Sequence, residues 1–135
     1  MTAGYSGTPL AKKLGLKPGM RVWFDAMPGS VRAEIGLDGE LIEETGAVAG
    51  LHAAHIFATE RAELERLLAD LRNLIQPAGQ IWVSWPKKAS KVPTDITEDT
   101  IRELCLPIGL VDVKVCAVDE IWSGLKLVIR KALRG

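Results

Sequence analysis

The chain has little of what marks several common protein classes. Of its 135 residues only Cys105 and Cys116 are cysteines. They lack the C-x-x-C spacing of a zinc or redox site and are too few for a disulfide framework, so they read as two buried thiols in a reducing cytosol. No stretch approaches the roughly 20 apolar residues that span a bilayer. Met1 to Lys12 has no apolar core of a signal peptide, so a cytoplasmic protein without membrane contact is expected. Charge of one sign is also missing, since 17 Lys and Arg face 17 Asp and Glu. A chain with no net charge has no global field to draw in a phosphate backbone, so no nucleic-acid partner is expected. His52 and His55 stand three apart on a strand-like run, which sends them to opposite faces with no third ligand, so no metal is expected. Ser6, Ser30, Ser84, Ser90 and Ser123 have no G-x-S-x-G context, which removes the basis for a serine hydrolase. Neither repeat nor low-complexity linker interrupts the chain, and residues 1–135 read as a single α/β domain.

What is present is a regular succession of elements. Thr8 as cap and Pro9 at the first helical position open a short helix, Leu10 to Leu14, that ends at Gly15. Met20 to Phe24 has the β-branched and aromatic character of a buried strand. Ser30 to Ile35 reads as a short helix, Glu40 to Glu43 as a strand, and the small residues after Gly46 as a loop or weak strand. His52 to Ala58 is a second apolar run, followed by Thr59-Glu60 as a helix cap. Leu64, Leu67, Leu68, Leu71, Leu74 and Ile75 then fall on one helical face. Pro77 and Gly79 turn the chain into the strand Gln80 to Trp85, which Pro86 ends. Asp95 and Glu98 have capping-box spacing ahead of the helical stripe Ile101, Leu104, Cys105 and Ile108. Val111 to Val118 and Leu125 to Arg130 form a hairpin across Asp119 to Gly124. This order implies a Rossmann-like, mostly parallel sheet with helices on both faces and a C-terminal antiparallel hairpin.

Two segments resemble class I S-adenosylmethionine-dependent methyltransferases. Leu14-x-Leu16-Lys17-Pro18-Gly19-Met20-Arg21-Val22 looks like the lead-in to their first strand, and Leu74 to Val83 looks like their later "leu-lys-pro-gly-gly" turn into a strand. Tyr5 to Gly15, Trp82 to Lys88 and Thr94 to Asp99 also resemble an uncharacterised bacterial family known only as a domain of unknown function. The methyltransferase resemblance implies a cofactor turn after the first strand, but Ala26, Pro28 and Ser30 stand where glycines would let the backbone approach a ligand, and only Gly29 is present. It also implies an acidic residue at the end of the second strand to hold the ribose hydroxyls, which Glu40, Glu43 or Glu44 could supply. The Asn/Asp-Pro-Pro-aromatic motif of the amino-group enzymes is absent, replaced by Ala58-Thr59-Glu60-Arg61.

In open parallel sheets ligands sit beyond the carboxyl ends of the strands. That rule gathers Asp25, Trp85, Lys87, Lys88, Asp119 and Trp122 on one edge, with Lys91, Thr94 and Asp95 on the loop after Trp85. The loop is stiffened by Pro86 and Pro93, carries three lysines, and runs into a helix start that favours an anion. Trp85 and Trp122, at strand ends, are placed to stack on a flat ligand or close a subunit interface, whereas Trp23 and Trp82 read as core. His55 reads as a buried histidine with one satisfied hydrogen bond. The expected protein is a methyltransferase-like, non-catalytic module with no cofactor, binding a small, anionic ligand or a protein partner and forming a homodimer. The alternative is an active S-adenosylmethionine-dependent methyltransferase with an atypical cofactor turn.

Overall fold

Alternation along the central strands builds two cores on one sheet. In the computed structural model, which describes residues 8–134, the elements are α1 (Leu10–Lys13), β1 (Arg21–Asp25), α2 (Gly29–Ile35), β2 (Ile42–Glu44), β3 (Leu51–Phe57), α3 (Arg61–Arg72), β4 (Ile75–Pro86), α4 (Glu98–Cys105), β5 (Leu110–Ala117) and β6 (Trp122–Ile129). Tyr5, Ser6 and Gly7 lie outside the described residues. Along β3, Ala54 and Ile56 pack with Leu64, Leu67, Leu68 and Leu71 of α3 and with Ile101 and Leu104 of α4. Ala53 and Phe57 pack on the other side with Leu10 of α1, with Leu14 at its carboxyl end, and with Val31 and Ile35 of α2. Side chains of a strand alternate between faces, so a strand apolar at nearly every position is a strand covered on both.

The six strands are ordered β2-β1-β3-β4-β6-β5. β2, β1, β3 and β4 run parallel, and β6 is antiparallel to both β4 and β5. The architecture is therefore the mostly parallel sheet with helices on both faces and an antiparallel carboxyl-terminal hairpin that the element order implies. No helix among the described residues is long and apolar enough to cross a membrane.

Several local expectations are corrected. Proline rather than Thr8 occupies the α1 cap position, and no side chain caps that helix. The second strand lies at Ile42–Glu44, and residues 45–50 form a loop to β3. Leu74 and Ile75 are not on α3; Ile75 pairs with Leu51 as β4 begins, and the register then jumps to Ala53 with Gln80. The intervening residues bulge away from the ladder, so Pro77 is tolerated inside a strand. Gly79 is required there, because a Cβ would lie 2.9 Å from the Gln76 carbonyl oxygen and 3.1 Å from that of Leu51. Val113 and Val115 stay exposed although they alternate with Asp112 and Lys114. A register shift between Asp112 and Lys114 breaks the alternation in an edge strand.

Candidate functional site

The chain leaves β1 for β2 on one side and then returns to place β3 on the other, so the crevice outside the carboxyl ends of β1 and β3 is the topological switch point. Asp25 pairs with Ile56, Phe57 with Ser84, Trp85 with Ser123 and Pro86 with Trp122. The carboxyl ends of β1, β3 and β4 and the start of β6 thus share one edge.

At β1 the turn takes a left-handed step without glycine, with Ala26 at φ 55°. Such a step costs an L-residue roughly 1–2 kcal/mol, so packing and the helix that follows must hold it. Pro28 caps α2 with its backbone, and a Cβ built on Gly29 would meet nothing within 4 Å. Asp25 is half-buried, and its pKa is raised by that burial and by Glu63 of α3, against the opposing pull of Arg66. Of the three acidic candidates, Glu44 ends β2 and pairs with Arg21 through one carboxylate oxygen. Glu43 accepts two bonds from the Arg32 guanidinium, at 2.5 and 2.8 Å. Glu40 precedes β2 and so lies at the wrong end of the strand.

The loop after Trp85 borders a groove of about 390 Å³. Buried Trp85, Pro86 and Ile96 line it together with Lys88, Thr94, Thr97 and Glu98. Lys87, Lys88 and Lys91 make no ion pair among the described residues. The loop is anchored elsewhere: the Lys87 amide donates to the Ile121 carbonyl at 2.7 Å, and the Thr94 hydroxyl donates to the Thr59 carbonyl at 2.7 Å. Asp95 does not cap α4. Its carboxylate accepts the Arg61 amide at 2.7 Å and so caps α3, whose own N-cap residue Glu60 offers no side-chain bond. α4 is capped by Thr97 and Thr100 reciprocally.

The remaining sequence candidates fall away from the groove. Trp122 belongs to the core of the α1/α2 face and meets Phe57 edge-on at 5.1 Å, whereas Trp85 belongs to the opposite core. The sheet itself separates them, because residues 85 and 122 pair with neighbours of opposite pleat. Asp119 closes the β5–β6 turn, accepting the amides of Ile121 and Trp122 at 2.9 and 2.8 Å. Trp23 is only half-buried, packed against the α3/α4 core. Sequence reasoning passed over Ile96 and Thr97, whose signal was a lone buried apolar residue in a polar loop ahead of a Thr-x-x-Thr pair, and over Glu63 and Arg66, which only the fold brings to Asp25.

No protein-family model matches this chain, nor does any curated protein. Solved structures do. A methyltransferase from Aquifex aeolicus, described as dependent on S-adenosylmethionine, superposes with a TM-score of 0.66 at 15% identity, over 89% of this chain and 87% of that one. The fold is that of the class I S-adenosylmethionine-dependent methyltransferases. Magnesium protoporphyrin IX methyltransferase from Synechocystis, solved with S-adenosylmethionine bound, gives 0.60 at 12% identity, over 89% and 74%. Aeropyrum pernix fibrillarin, with natively bound S-adenosylmethionine, gives 0.55 at 12%, over 93% and 70%. The expectation of a domain without a cofactor is corrected by these neighbours, which are cofactor-binding proteins. It rested on the missing glycines, and the left-handed conformation those glycines would ease is adopted by Ala26 instead.

Proposed function

We propose that this chain binds S-adenosylmethionine at the β1/β3 switch point and acts as a methyltransferase on a small acceptor held at the neighbouring groove. The observation that carries the reading is the turn at Ala26, which keeps a left-handed backbone where the sequence no longer carries the expected glycine. The residues present fit the group on two counts. Space is open over Gly29, and the Glu44 carboxylate ends β2 with one oxygen not engaged by Arg21. Glu44 would hold the ribose hydroxyls, and the backbone from Ala26 to Gly29 would line the approach of the cofactor. When bound, the cofactor supplies an activated methyl group on a sulfonium.

The chain's own part is to orient and to exclude water. Thr59 and the Thr94 hydroxyl bond the two loops that flank the edge into one rim, which fixes an acceptor's position relative to β1. Arg21 orients the Glu44 carboxylate, and Asp25, its pKa raised by burial, ends β1 as a group able to take up a proton.

Calorimetry with S-adenosylmethionine and with its demethylated product is expected to show micromolar binding of both. Ala26→Gly is expected to leave that affinity unchanged, because the backbone already has the conformation that glycine would permit. Absence of binding by the wild-type protein overturns the reading, and binding that appears only in Ala26→Gly shows that the Cβ fills the cofactor's space.

A further inference from the structure

The groove beside Trp85 carries information about its occupant in the polar groups that are already spent. The Thr94 hydroxyl donates to the Thr59 carbonyl and accepts the Ile96 amide at 3.1 Å. The Thr97 hydroxyl accepts the Thr100 amide at 3.2 Å in the cap of α4. Glu98 is paired with Arg102, which also holds Asp99 and Asp112. Lys88, in contrast, donates no hydrogen bond and joins no ion pair among the described residues. Lys87 and Lys91, equally without ion pairs, flank it in sequence and add to the positive potential at that rim. The rest of the wall is Trp85, Pro86 and Ile96, all buried residues showing apolar surface to the groove.

We propose that this groove is a binding site for a planar aromatic acid, its ring lying against Trp85 and Ile96 and its carboxylate on the Lys88 ammonium. A volume of about 390 Å³ is in the range that encloses a small organic ligand. A simple inorganic anion would leave the apolar wall uncovered, and a neutral ring would leave the lysine unanswered. A ring bearing one carboxylate satisfies both, because aromatic surfaces pack well on an indole and a charge-assisted hydrogen bond is about twice as strong as a neutral one. That this ligand is also the methyl acceptor rests on the function proposed above; that it binds here does not.

The test is titration of the whole protein, without and with S-adenosylmethionine, with salicylate, indoleacetate and naphthoate and with the corresponding neutral amides. The acids are expected to bind about tenfold more tightly than their amides. Lys88→Gln should erase that difference and leave amide binding alone, while Lys87→Gln, outside the groove wall, should keep most of it. Equal affinity for acids and amides, a preference that survives Lys88→Gln, or no binding of any acid at millimolar concentration overturns the site. Acid binding without any binding of S-adenosylmethionine upholds the site and overturns the methyltransferase reading instead.

Discussion

His55 shows how one residue can set a pH dependence without belonging to the candidate site. Its Nε2 lies 2.7 Å from the Ser84 hydroxyl oxygen, its ring stacks on Phe57 at 4.5 Å, and its buried Nδ1 has no partner among the described residues. Burial pushes its pKa down to about 3, so the folded protein holds it neutral. Between about 3 and the ordinary histidine value of 6.5 the unfolded chain takes up a proton that the folded chain refuses. Stability from this residue is therefore complete above pH 6.5 and falls as the pH drops, by about 1.4 kcal/mol per unit. His55→Gln can keep a bond to Ser84 but cannot titrate. Urea unfolding of both proteins from pH 7 to pH 4 should give a difference that shrinks as the pH falls, and parallel profiles would refute the assignment. The sequence already pointed to a buried histidine with one bond; Ser84 as its partner came from β3 pairing with β4.

At the scale of elements, the connection between α3 and the β4–α4 loop is the clearest case of tertiary structure overriding local pattern. Asp95 and Glu98 have the spacing of a capping box, yet Thr97 and Thr100 form the box and Asp95 reaches across to the amide of Arg61. Both caps for α4 were available locally, and the docking of the loop on Thr59 selected between them. Asp95→Ala should cost about 1 kcal/mol. The accompanying rise in amide exchange should fall in the first turn of α3, with α4 unchanged; a rise confined to α4 would contradict the cross-loop cap. The long α3 stripe was readable because four leucines repeat at helical spacing. Its end was misplaced because Leu74 and Ile75 continue the periodicity while serving the entry to β4.

For the molecule as a whole, one sheet is shared by two cores, so neither can melt alone. Leu14 is buried on the α1/α2 face, where its carbonyl accepts the Gln80 side-chain amide at 2.8 Å and the Trp82 indole N–H at 2.9 Å. Leu68 is fully buried under α3 on the other face. Leu14→Ala and Leu68→Ala should each cost about 2–5 kcal/mol. Each variant should unfold in a single transition, with far-ultraviolet dichroism and tryptophan fluorescence coincident. Separate transitions in either variant would mean that the faces fold independently.

The alternation of apolar runs with a leucine-striped helix determined by itself that this chain forms strands and helices in crossover order, because burial on both faces of a parallel sheet demands that composition. The edge that gathers Asp25, Trp85 and Lys88 followed from the same order, since carboxyl ends of parallel strands must coincide. Local pattern had no means of showing that Trp122 lies behind the sheet from Trp85, that Glu44 rather than Glu40 ends β2, or that Ala26 takes the left-handed turn. Those outcomes depend on register, on where a bulge falls and on which loop docks against which, and such long-range contacts are decided only when the strands meet.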